Sequence, residues 1–143
     1  MTDDLILQVG VKILLQNSEG KYLLLRRSRE KYPEIDKKWD ITGGRIIPGT
    51  TLMENLKREI KEETTLDLIG EPKLIHAQDI LHKGDCHVVR LTYLGRGEGE
   101  VVLDADEHDS YKWCSMEELT GMEDIDEYLK ELLMVLNYET EKT

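Results

Sequence analysis

The sequence predicts an α/β domain in which helices pack against a mixed β-sheet. Two observations carry that prediction. Several apolar, β-branched runs are separated by turn residues, and two segments repeat apolar residues at helical spacing. At 143 residues, the chain has the length of one domain, 1–143, able to bury a core without disulfides or structural metal.

Leu5 to Leu15 is apolar and β-branched enough for a long strand. Asn17 to Gly20 supplies a turn, and Lys21 to Arg26 reads as the returning strand of a hairpin. A polar loop runs to Lys38, and a short strand from Trp39 to Thr42 ends at Gly43-Gly44. Thr51-Leu-Met-Glu54 fits a capping box, in which Thr51 satisfies a backbone N–H and Glu54 reaches back. Leu52, Met53, Leu56 and Ile60 then form the core stripe of a helix. Lys73 to Leu81 and Cys86 to Leu94 read as strands, Gly95 to Gly99 as a glycine-rich turn, and Tyr111 to Cys114 as a short strand. Ile125, Tyr128, Leu129, Leu132, Leu133 and Leu136 mark a closing helix from Met122 to Tyr138.

Charge narrows the function classes. A net charge of -11 argues against a nucleic-acid polymer as partner, because such binders carry a basic stripe. Thirteen acidic residues against three lysines make Asp104 to Thr143 a solvated acidic face. Between Arg26 and Lys38 the balance reverses, with six basic residues against three acids. No stretch approaches the roughly 18 apolar residues of a membrane helix, and Met1 to Asp4 shows no signal-peptide pattern. Cys86 and Cys114 read as reduced thiols, and the expected location is cytoplasmic.

The chemistry concentrates in Arg58-Glu-Ile-Lys-Glu-Glu63. At about 100° per residue, Glu59, Glu62 and Glu63 span roughly 100° of one helix face. Carboxylates so close repel one another unless a cation sits among them, and their hard oxygens suit Mg²⁺ or Mn²⁺ shared with substrate phosphates. An isolated ExxEE is more often a solvated helix face. Here the core stripe leans against the carboxylates and a double glycine lies upstream, where bare backbone can approach an anion or a metal.

From Gly44 to Leu66 the chain resembles the box of the Nudix (MutT-like) hydrolases, G-x5-E-x7-R-E-U-x-E-E-x-G-U with U apolar. Gly44, Arg58, Glu59, Ile60, Glu62, Glu63 and Leu66 match, whereas Thr50 replaces the first Glu and Thr65 replaces Gly. Leu23 to Arg27 looks like the family's second strand, and Trp39 to Gly44 its W-x-x-P-G-G segment, with Thr42 in place of Pro. Glu107 resembles the distal loop glutamate that several members use as a further metal ligand or base.

The resemblance implies a Nudix fold, an α/β/α sandwich with a central mixed β-sheet. It also implies a metal-dependent pyrophosphohydrolase acting on a small nucleotide, a nucleoside triphosphate or another nucleoside-diphosphate-linked compound. Gly43 through its carbonyl, with Glu59, Glu62, Glu63 and Glu107, would hold Mg²⁺ or Mn²⁺. Arg58 would orient a carboxylate, Glu59 or Glu107 would be the general base, and Arg26 or Arg27 would contact phosphate. Trp39 fits a base-stacking role or a core role equally. Many relatives form homodimers, which leaves a homodimer open here. Thr50 leaves Arg58 short of its family partner, and Thr65 costs about 1–3 kcal/mol if positive φ is kept. The alternative is a catalytically weakened Nudix-like nucleotide-binding module. A third reading, an acidic interaction domain, does not account for the Arg58 to Glu63 spacing. His76, His82 and His87 read as ordinary sheet or turn residues, and His108, beside Glu107, is placed near the site without an assigned role.

Overall fold

Strand β1 (Ile6–Gln16) organises the molecule because its middle residues are buried on both faces. The computed structural model describes residues 4–142, and their side chains except at 82, 83 and 138–142. The backbone of β1 pairs in parallel with β6 (Cys86–Glu98) from Ile6 to Gln16. Its other side is shared between β4 (Thr42–Arg45), antiparallel, and β2 (Tyr22–Arg27), which it meets at Gln16. Beyond β6 lies β5 (Asp67–Lys83), while β2 also carries the short β3 (Trp39–Asp40) and β7 (His108–Cys114). The sheet therefore splits beside β1, and β4 occupies the split.

Alternation along β1 and β2 distributes two cores. Val11, Ile13, Leu15, Leu23 and Leu25 pack with Leu56 and Ile60 of α1 (Leu52–Thr64). Leu14 and Leu24 face the other way, toward Leu119 of α2 (Met116–Thr120) and Leu129, Leu132 and Leu133 of α3 (Glu127–Lys142). This is the expected α/β/α sandwich around a mixed sheet. Among the described residues, no helix is long and apolar enough to cross a membrane.

Some expected boundaries move, each for a physical reason. Gly43-Gly44 lies inside β4 rather than past a strand end, because β4 must press against β1: a Cβ on Gly43 would stand 2.1 Å from the Val11 carbonyl oxygen. Gly95 and Gly97 belong to β6 and not to a turn. Their missing side chains admit Ile13 and Leu15, and only Gly99 has positive φ, at 112°. The closing helix starts at Glu127 rather than Met122. The short α2 before it has its own Ser115–Glu118 capping box, but too few apolar repeats to be read as a helix. Helix α1 begins at the expected Thr51 box and ends at Thr65, which keeps the left-handed conformation at φ 64°. Its N–H reaches the Lys61 carbonyl, and its hydroxyl donates to the Glu100 carbonyl at 2.8 Å, a bond that glycine could not make.

Candidate active site

The capping box fixes the helical phase of α1, so Asn55, Leu56 and Ile60 point inward and the acidic edge turns toward β4. Glu59 and Glu63 are largely shielded, at 13 % and 16 % side-chain exposure, whereas Glu62 is 58 % exposed. Glu59 lies directly on Gly44, where an added Cβ would stand 2.8 Å from the carboxylate. The Gly43 N–H donates to Glu63 Oε1 at 2.8 Å. Both glycines thus serve the helix carboxylates as well as the strand pairing.

Arg58 joins the acidic edge together, donating to Glu59 at 2.9 Å and to Glu62 at 3.3 Å. It also reaches the Arg45 carbonyl and, at 3.0 Å, Asn55 Oδ1. The expected shortage of partners for Arg58 is therefore not found. Asn55, buried and donating to the Thr50 hydroxyl, takes over the contact that a glutamate at 50 would make.

Lys12 completes the centre and was not singled out from the sequence. Its ammonium stands 3.1 Å from Asp40 Oδ2 and donates to the carbonyls of Ile41 and Gly43 at 3.2 and 3.4 Å. Asp40 also faces Arg90 at 3.3 Å. Burial opposes the Asp40 charge, but Lys12 and Arg90 outweigh it and hold this carboxyl well below the usual range. Glu63 goes the other way. Burial first, and then repulsion from Glu59, push it up to about 7 despite the opposing pull of Lys12, the Gly43 N–H and Arg27. His108 stands 4.0 Å from Glu63 and is pushed down to about 4 by burial and then by Arg27 and Lys12, which keeps it neutral. A lone lysine inside the apolar run Val11 to Leu15 was the one signal that could have found Lys12.

The remaining expected residues divide. Arg27 lines a cavity of about 470 Å³ together with Lys12, Gly43 and Gly44. Arg26 is committed to Asp109 at 2.7 Å and Ser110 at 2.8 Å. The Trp39 ring is covered by Lys112 at 4.4 Å and Arg26 at 5.5 Å, and neither Trp39 nor Arg26 lines that cavity. Glu107 accepts from Tyr32 at 2.7 Å and Lys31 at 2.9 Å, with Arg27 at 3.8 Å. Those hydrogen bonds, Lys31 first, draw its carboxyl downward. His76 pairs with Glu131 of α3 and His87 with Asp79 of β5, and the His82 side chain lies outside those described.

Among the described residues, no three His, Cys, Asp or Glu side chains converge in a metal-holding geometry. The donor set still fits a divalent ion. It offers hard oxygens from Glu59, Glu63 and the Gly43 carbonyl, and Glu63 is disfavoured as an anion by burial and by the neighbouring Glu59, a cost that a bound cation would offset.

A family model described as the NUDIX domain matches residues 6–134. The chain belongs to the Nudix family. This Nudix protein is 29% identical over 136 residues to an RNA pyrophosphohydrolase of Bartonella bacilliformis, covering 79% of this chain and 80% of that one. It is 27% identical over 101 residues to a CTP pyrophosphohydrolase of Escherichia coli, covering 70% of each. Its fold matches the crystal structure of a MutT protein from Methanosarcina mazei with a TM-score of 0.82, at 27% identity over 96% of this chain and 97% of that one. The Nudix chain is thus a hydrolase of phosphoric anhydride bonds, with pyrophosphohydrolases among its relatives.

Proposed function

We propose that the protein is a divalent-metal-dependent pyrophosphohydrolase that cleaves a diphosphate bond in a nucleoside triphosphate or another nucleoside-diphosphate-linked compound. The observation that supports this best is the placement of Glu59 and Glu63. Both are drawn out of water against Gly44 and Gly43, the two glycines that line a cavity together with Arg27. Bound Mg²⁺ or Mn²⁺ supplies charge neutralisation of the phosphates, polarisation of a phosphoryl oxygen and activation of water.

Glu59, Glu62, Glu63 and the Gly43 carbonyl hold the ion in this reading. Arg58 fixes Glu59 in place, and Glu59 accepts the proton of the attacking water. Arg27 meets the phosphates, a task that suits a guanidinium fork. Glu107 restrains Arg27 and Lys31, and it joins the metal ligands or acts as base only on release from Lys31 and Tyr32. The free thiols of Cys86 and Cys114 support a cytoplasmic setting.

One observation favours the binding-module alternative. The Gly43 carbonyl is already met by Lys12, and Glu63 by a backbone amide, so the cluster is partly satisfied by the protein itself. A nucleotide panel with Mg²⁺, Mn²⁺ or chelator separates the two, with release of phosphate or pyrophosphate as readout. Metal-dependent turnover supports the hydrolase. Nucleotide affinity without turnover under any metal condition supports the module.

A further inference from the structure

Gly43 is held through both of its backbone groups. Its N–H donates to Glu63 at 2.8 Å, and its carbonyl oxygen accepts from Lys12 Nζ at 3.4 Å. That carbonyl is also one of the oxygens offered to a divalent ion, so two cations have a claim on it. The lysine contact is built into the strand pairing. Lys12 is the cross-strand partner of Gly43, and its stem runs over the space that a side chain at 43 would fill: an added Cβ would stand 2.8 Å from Lys12 Cδ. Glycine at this position therefore lets the lysine reach the carbonyl. The ammonium also meets the Ile41 carbonyl at 3.2 Å and Asp40 Oδ2 at 3.1 Å, which gives its three N–H groups three oxygens within reach.

These three partners are unequal. Asp40 and Ile41 stay available to the ammonium when other groups bind, whereas a divalent ion and an ammonium that share one carbonyl oxygen repel strongly. Lys12 has room to yield, because 15 % of its side chain is exposed and it lines the cavity together with Arg27. Asp40 is not stranded by such a movement, since Arg90 holds its other oxygen at 3.3 Å.

We propose that Lys12 is a tethered counter-ion: its ammonium holds the metal's place at the Gly43 carbonyl in the free protein, and metal entry displaces it. Lys12 is thereby a positioning residue and not a metal ligand. It lowers the affinity for free metal, because only the fraction of molecules with the ammonium withdrawn presents the carbonyl oxygen. The inference rests on the metal-dependent reading of the site and deepens it by naming what controls metal entry.

The test measures Mn²⁺ binding to the full chain by calorimetry without nucleotide, in the wild type and in Lys12→Met, which removes the ammonium and keeps most of the stem. The variant should bind Mn²⁺ about fivefold more tightly or better. The sign decides, since a substitution that merely disturbed the site would weaken binding. Independently of the variant, Mg²⁺ added to the wild type should shift the Lys12 Nζ resonance and quicken exchange of its protons with water, in step with the change at the Gly43 amide. Equal or weaker Mn²⁺ binding by the folded variant overturns the counter-ion, as does a Lys12 ammonium indifferent to Mg²⁺ that shifts Gly43. Metal-dependent turnover on the nucleotide panel would leave the hydrolase reading standing in either case. Tighter Mn²⁺ binding by the variant, with no turnover of any nucleotide by the wild type, supports the counter-ion and overturns the hydrolase. Binding of Mn²⁺ by neither form overturns both.

Discussion

Two charged clusters, one joining β2 to β7 and the other where α1 leans on β4, are built on opposite principles. In the first, Asp109 accepts from Arg26, from the Arg29 side chain and from the Arg29 N–H, which hold its carboxyl well below the usual range. Every polar contact in it closes on another, and Trp39 is covered by cations rather than offered to a ligand. In the second, Glu59 and Glu63 are withdrawn from water, with Lys12 and Arg58 only partly matching them. A cluster that balances itself holds a loop. A cluster left short of cations and set beside a cavity is prepared for a partner, so the imbalance separates structure from function better than charge density does.

The sharpest way to test that contrast is to remove one charge from each cluster. Glu59→Gln and Glu63→Gln should lower metal-dependent turnover by about a hundredfold or more with the fold retained by circular dichroism. Glu62→Gln, at a more exposed position, should lose less. Near wild-type turnover in the first two would end the assignment.

Gly44→Ala comes next, because its methyl group meets the Glu59 carboxylate without altering any charge. Turnover should fall by roughly tenfold or more, since a small misplacement of a reacting group is costly. If activity holds while Glu59→Gln is inactive, the carboxylate tolerates displacement.

The unmatched cluster also predicts a pH signature. Glu63 has a folded pKa of about 7, above the usual 4.5. Its stabilising contribution is thus complete below about pH 4.5 and is lost as pH rises through 7. The metal-free protein should lose on the order of 3 kcal/mol at most across that window, read from denaturant midpoints, and Mg²⁺ should flatten the slope.

In the balanced cluster, Asp109→Asn should cost under about 1 kcal/mol, as expected for exposed ion pairs, and leave kcat within about twofold. Thr50→Glu should change least. Asn55 already engages Arg58, so a new carboxylate at 50 competes for a filled place, and kcat/KM should stay level or rise a few-fold.

Legibility in the sequence followed whether the needed information was local. Helix α1, its capping box and its acidic edge are written in consecutive residues, and the family box fixed their register. The double glycine was also visible, but its meaning was not. That Gly43 faces Lys12 and Gly44 faces Glu59 depends on β4 docking against β1, a pairing across some thirty positions. Lys12, Asp40 and Arg90 come from three strands and look like isolated charges until those strands are laid side by side. The glycines of β6 misled for the same reason. Removing a side chain to admit Ile13 leaves the same sequence mark as a turn.

The seat of Glu63 has a consequence for how the protein wears out. This carboxylate hangs from the amide of Gly43, and β4 is laced to the strand at the middle of the sheet. Tied in this way to the sheet's middle, the centre is expected to open only with the sheet itself. Heat inactivation and loss of the sheet should be a single event, with a half-life set by global unfolding, and no dead but folded intermediate should accumulate on the way.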